Sequence, residues 1–187
     1  MARFILLNGA PAAGKSTIAE LYVRDHPLSL NLDIDRIRTL IGCWEQNADQ
    51  AGLIARRLAV AMAAEQLAAG HDVVIPQLVG RMGFLEELDA LAEASGSARY
   101  EFVLTAHPVT LMARFEQRSA EGARPEHIAA QRLVERGGGA RLLQATCEQL
   151  ADLTNLRPQA EEVNTSDQDP EGSYRQVMVH IHANEKQ

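Results

Sequence analysis

Short apolar runs alternate with helical stripes along this chain. Phe4-Ile5-Leu6-Leu7 is apolar at every position and stops at Asn8-Gly9, as expected of a strand buried on both faces of a parallel sheet. From 14 to 24, Ile18, Leu21 and Tyr22 return at helical spacing. Residues 28–32 predict a second strand, closed by Asp33 and Asp35, and an Ala/Leu-rich helix over 50–69 stops at Gly70. Val73-Val74-Ile75 reads as a third strand, ended by Pro76, which has no N–H for a ladder. A helix over 83–94 and a fourth strand over 99–104 follow, then a helix over 109–118 opened by Pro108. Gly122 interrupts 119–124, and Pro125 opens a helix reaching about residue 136. Gly137-Gly138-Gly139 then forms a hinge or a plain turn before the next helix. A fifth strand over 160–163 and a closing helix over 171–181 complete the pattern. Strands alternating with helices predict an α/β fold of three layers, a five-stranded, mostly parallel sheet between helices, in one domain over 1–187.

Between the first strand and first helix lies Gly9-Ala10-Pro11-Ala12-Ala13-Gly14-Lys15-Ser16, a full match to G-x-x-x-x-G-K-[ST]. Gly9 and Gly14 permit dihedrals closed to other residues, so successive N–H groups can converge on one anion. The following helix turns its unsatisfied amides and positive dipole end to the same point. In such a loop Lys15 bridges β- and γ-phosphate oxygens, the Ser16 hydroxyl ligates Mg²⁺, and Thr17 adds a weaker phosphate contact. Nucleotide binding, of ATP or GTP with Mg²⁺, follows from the motif, and the fold becomes a three-layer P-loop NTPase fold. Backbone contacts to the base leave the choice between ATP and GTP unread.

Composition narrows the partners. A formal net charge of −7 and a pI near 5.4 argue against nucleic acid as a routine partner. Cys43 and Cys147 are far apart and imply no disulfide framework. No apolar run reaches the length of a signal peptide or membrane helix, so a soluble, cytoplasmic monomer or homodimer is expected. The six histidines form no H-E-x-x-H, and G-x-S-x-G is absent.

The second strand should end beside the phosphate loop with Asn31-Leu32-Asp33-Ile34-Asp35-Arg36-Ile37-Arg38. Open α/β sheets bind ligands at that edge. A carboxylate there can take a proton from a hydroxyl or hold a water on a metal, and both aspartates can also simply cap the next helix. If the segment is extended, Asp33 and Asp35 share a face. Arg38 can pair with an anion.

The string resembles the segment after the phosphate loop in the polynucleotide kinase and zeta-toxin branch of the P-loop kinases, where D-x-x-R supplies a base and an arginine. It is similar also to chloramphenicol phosphotransferases and shikimate-type kinases. The resemblance implies that Asp35 is the general base, ahead of Asp33, and that Arg38 clamps substrate or phosphate. It also implies a helical lid, around 119–137, entered by Arg114 and Arg118 with Arg124 beyond. There Arg118 meets the transferring phosphoryl group or stacks on the base. Relatives often end the third strand in Asp, whereas Gln77 stands here; an amide cannot act as a base, but it can donate to and accept from a neutral acceptor. Arg81 above the same edge is an acceptor contact or a solvated arginine. Val163-Asn164-Thr165-Ser166-Asp167 resembles the loop passing the nucleobase, with Thr165 and Ser166 beside it, and serves equally as a helix cap. Trp44 and Glu45 either open an acceptor pocket or belong to the rim.

The expected activity is transfer of the γ-phosphate to a hydroxyl of a small molecule, an antibiotic or nucleoside among the candidates. The alternatives are a polynucleotide 5′-hydroxyl kinase, a nucleotide-gated module with slow hydrolysis, and a toxin-like sugar-nucleotide kinase.

Overall fold

The computed structural model describes residues 1–120 and 138–185. Strand β1 (Arg3–Gly9) leads into α1 (Lys15–Asp25), β2 (Leu30–Asn31), α2 (Ile34–Thr39) and α3 (Ala48–Ala68). Then come β3 (Val73–Pro76), α4 (Met82–Ala94), β4 (Ala98–Thr105) and α5 (Pro108–Ala120). Beyond the gap lie α6 (Ala140–Asn155), β5 (Glu161–Asn164) and α7 (Pro170–Asn184). Helix α5 runs to Ala120, two residues past its expected end, so the interruption does not begin at 119; residues 121–124, the helix expected over 125–136 and most of the expected lid fall outside the described residues.

The five strands form one sheet in the order β2-β3-β1-β4-β5, and every neighbouring pair is parallel. The sheet is therefore wholly parallel. Strand β1 lies in the middle, and its alternation explains why its run had to be apolar throughout. Ile5 and Leu7 enter a core with α1 and α7, while Phe4 and Leu6 enter a second core with α3 and α4. Both faces are dry, so neither set of side chains can be polar.

Strand β2 is shorter than its pattern predicts. Only Leu30 and Asn31 pair with β3, although the Leu32 N–H still bonds the Val74 carbonyl at 2.8 Å. The chain then turns into α2, because Asp33 caps the helix: its Oδ1 accepts from the N–H of Asp35 at 2.9 Å and of Arg36 at 3.3 Å. Strand β3 keeps Pro76, which sits in register with Leu7. Helix α3 turns Ala51, Ala55, Ala59, Ala63 and Leu67 inward, a row of small residues that lets it lie close to its neighbours. Among the described residues, no helix is long and apolar enough to cross a membrane.

One buried polar cluster fixes the far end of the sheet. Arg157, 7% exposed, follows α6 and reaches Glu101 on β4 and Asp89 on α4; its Nη2 lies 2.5 Å from Glu101 Oε2 and 2.9 Å from Asp89 Oδ1. Arg99 joins both carboxylates and lies over the Phe4 ring, 5.2 Å from its centroid. Burial alone would raise the Asp89 carboxyl. The Arg157 hydrogen bond and the charges of Arg99 and Arg157 outweigh it and hold that group below its ordinary value.

Removing Arg157 would leave Glu101, 4% exposed, short of its main countercharge. Arg157→Ala should cost roughly 3–5 kcal/mol in urea unfolding. A carboxyl lowered by folding stabilises the fold above its unfolded value of about 4 and loses that contribution as pH falls through the folded value. The urea midpoint should therefore fall more steeply with acidification in the wild type than in Asp89→Asn.

Candidate phosphate-binding site

The loop between β1 and α1 is shaped by two approaches of backbone to backbone. At Gly9 an added Cβ would stand 2.7 Å from the Leu104 carbonyl oxygen of β4, so no side chain fits. Gly14, with φ +97°, begins α1 in the left-handed region, and no side chain caps that helix. Ala12 also adopts a left-handed φ of +64° at the loop's apex, a conformation that costs an alanine energy and is held by its surroundings. The Lys15 side chain folds back across the loop, its Nζ donating to the Gly9 and Ala10 carbonyls at 2.9 Å each. An ammonium group and the open end of a helix thus converge on one small space.

Asn8, just before the loop, is buried and was not singled out by its sequence pattern. Its Nδ2 donates to the Val79 carbonyl at 3.0 Å, and its Oδ1 accepts from the N–H of Val79 and of Gly9 at 2.9 Å each. The side chain stands in for a backbone unit and suspends the segment after β3 from the start of the phosphate loop.

A cavity of about 540 Å³ opens over residues 12–18 and extends between α5 and the start of α7. That is within the usual size of a small-ligand or cofactor cleft. Lys15, Ser16 and Thr17 line one end. Arg114, Gln117, Thr165, Gln168, Pro170 and Ser173 line the other, and Glu20 stands on α1. Thr165 is the junction of this wall. Its hydroxyl lies within hydrogen-bonding distance of the Ala13 and Thr105 carbonyls, and Arg114 donates to that hydroxyl at 3.1 Å and to the Thr165 carbonyl. Arg114 is therefore a brace in the cavity wall as well as a charge facing it. Ser166 accepts from the His107 N–H at 2.9 Å and does not line the cavity, while Asp169 rather than Ser166 caps α7. Gln117, Gln168, Pro170 and Ser173 lie in segments without a motif, so their place in the wall had no sequence signal.

The second group lies at the carboxyl edge of β2 and β3. Asp33 and Asp35 do not share the face of an extended strand: Asp33 is the cap and Asp35 is already helical, so the alternation argument fails there. Asp35, half exposed, pairs with Arg38 at 3.2 Å, and the Arg38 guanidinium lies 5.3 Å from the Trp44 ring centroid. Three polar atoms in this region are shut off from water and lack a partner: Asn31 Oδ1, Arg38 Nε and Gln77 Oε1. Buried polar atoms are normally satisfied, so three at one edge call for an explanation. Asn31 is the one that sequence reasoning passed over. Arg81 is exposed at the start of α4. The Arg118 side chain and all of Arg124 lie outside the described residues.

The site holds donors suited to Mg²⁺. The Ser16 hydroxyl lines the cavity and has no hydrogen-bond partner among the described residues. Among the described residues, no group of three or more His, Cys, Asp or Glu side chains could cage a metal. One hydroxyl beside a phosphate cradle suits a cation that keeps several waters and takes its remaining oxygens from the nucleotide.

Residues 4–137 match the profile of a family described as an AAA domain. Two solved structures are similar over nearly the whole length. One is a protein inferred to be a kinase from Chloroflexus aurantiacus, 17% identical, with 97% of each chain covered and a TM-score of 0.60. The other is a gluconokinase from Sinorhizobium meliloti, 16% identical, with 97% of each chain covered and a TM-score of 0.58. At these identities the likeness is one of fold. No curated protein matches the chain.

Gly9→Ala should lower the thermal midpoint and weaken nucleotide binding together, because the methyl group meets a strand carbonyl and must push the loop off β4. Calorimetric titration with ATP alongside a thermal melt checks both.

Proposed function

The chain belongs to the AAA domain family, and from that premise we propose that it is a kinase that transfers the γ-phosphate of ATP or GTP to a hydroxyl group of a small polar molecule. The observation that carries this reading is the set of unsatisfied polar atoms at the β2–β3 edge, Asn31 Oδ1, Arg38 Nε and Gln77 Oε1. A protein that only hydrolyses nucleotide or switches on it has no need of them. These atoms are closed to solvent, so an acceptor with hydroxyl groups would supply their missing partners as the edge opens to admit it, and the neutral Gln77 amide favours an uncharged group there over a cation. Sugars, nucleosides and hydroxylated antibiotics are the classes to test.

The loop amides and Lys15 hold the β- and γ-phosphates, with the nucleoside in the cavity lined by Arg114, Gln117 and Thr165. Mg²⁺, when bound at Ser16, neutralises phosphate charge. Asp33 already commits one oxygen to the cap of α2, which leaves Asp35 as the better-placed base. The acceptor oxygen attacks the γ-phosphorus in line, its proton passes to the Asp35 carboxylate, and the bond to the β–γ bridging oxygen breaks to release the diphosphate. Arg38 orients the carboxylate through its Nη2, 3.2 Å from Asp35 Oδ1. Arg118 and Arg124, entering the segment between α5 and α6, neutralise charge on the moving phosphoryl group.

Transfer of labelled phosphate from ATP across a panel of sugars, nucleosides and antibiotics tests the reading. Hydrolysis with no labelled acceptor would leave a nucleotide-gated module instead. On the acceptor found, Lys15→Ala should abolish transfer in a folded protein. Asp35→Asn should lower kcat by roughly 10²–10⁴ with little change in ATP affinity, and a milder effect than that of Asp33→Asn would move the base to Asp33.

A further inference from the structure

Helix α3 is apolar on two sides. The inner side, from Ala51 to Leu67, is used by the core. The outer side carries Leu53, Ile54, Leu58 and Met62, which are 56%, 42%, 46% and 44% exposed. Ala61, Ala68 and Ala69 are also exposed there. The only charges on this face are Arg57 and Glu65, both exposed and neither with an ion-pair partner among the described residues. A contiguous apolar strip about 24 Å long, from 53 to 69, is unusual on a surface that stays in water.

The order of residues along the strip indicates what covers it. Leu53, Arg57, Ala61, Glu65 and Ala69 fall one turn apart and form a single ridge, with Ile54, Leu58 and Met62 on the next. The Leu53–Ala69 ridge is bulky before Ala61 and small after it, with a positive charge four residues before Ala61 and a negative charge four residues after. Two copies crossed antiparallel at a two-fold axis on Ala61 would match at each step. Arg57 would face the partner's Glu65, Leu53 would face the partner's Ala69, and Leu58 would pack beside the partner's Met62. Each contact occurs twice, as an isologous interface requires. A parallel pair would set Arg57 against the partner's Arg57 and bulk against bulk. We propose that the outer face of α3 is a homodimer interface, its occupant a second copy of this chain in antiparallel orientation. The proposal is independent of the assignment as a kinase.

Sedimentation equilibrium of the full chain tests it, with circular dichroism to verify that each variant folds. Both charges are exposed, so reversing them leaves the core untouched. The wild type should be a dimer. Arg57→Glu and Glu65→Arg should each raise the dimer dissociation constant by about tenfold or more, and the double reversal should recover most of the loss. Ala61→Arg, which sets two cations together on the axis, should give a monomer. A wild-type monomer at about 100 µM, or a dimer indifferent to the single reversals, would overturn the proposal. A double reversal no tighter than the singles would do the same.

Discussion

Strand β1 has no exposed side, and the site depends on that. It lies between β3 and β4 with a dry core on each face, so its four apolar side chains are gripped from both directions and its last residues cannot drift. The phosphate loop is the continuation of this strand. A cradle of backbone amides attracts an anion only while the N–H groups keep their convergence, and that convergence is inherited from the strand beneath. Gly9 shows how close the tolerance is, since the Leu104 carbonyl stands where a methyl group would have to be. Covering both faces of a parallel sheet supplies the rigidity that a loop of small residues lacks.

Around this axis the remaining parts are tied in pairs. Arg157 fastens the end of α6 to β4 and α4, so the helix returning from the undescribed segment is anchored at its far end. Gln149, two turns earlier, bonds the Gly80 carbonyl at 3.2 Å and fastens the same helix to the segment after β3. Thr165 links the other side, joining β4, the phosphate loop and Arg114 of α5 through one hydroxyl. The buried ion pairs sit away from the cavity, where their desolvation cost does not compete with ligand. The unsatisfied polar atoms sit at the β2–β3 edge. This division between satisfied and unsatisfied polar groups separates scaffold from site.

Much of this was legible in the residues because the constraints that shaped it are local. An all-apolar run of four, then glycine, then a lysine and serine at fixed spacing, admits few structures, and β1, the loop and α1 follow. The five strands and their mostly parallel direction were readable for the same reason, whereas the order in which they lie side by side was not. The error came at Asp33 and Asp35. Alternation along an extended chain and capping of a helix use the same residue types at the same spacing, and only the path of the backbone decides between them. Asn8 and Asn31 were silent because a single amide in a strand has no period. Their importance lies in partners 71 residues away, in the case of Asn8, or in the lack of any, in the case of Asn31. The cavity wall formed by α5 and α7 was likewise hidden, since it is assembled by tertiary packing from segments without a motif.

The amide of Asn8 also bears on how such a protein can change. Beyond Gln77 the segment after β3 is hung from two side chains, Asn8 at Val79 and Gln149 at Gly80, instead of being woven into the ladder, so its length and composition can vary while the sheet and the nucleotide end stay intact. Gln77 and Arg81 flank the Val79 anchor on this strap. Divergence along this strap therefore needs only edits to a replaceable part, and the sheet beneath it need not be redesigned.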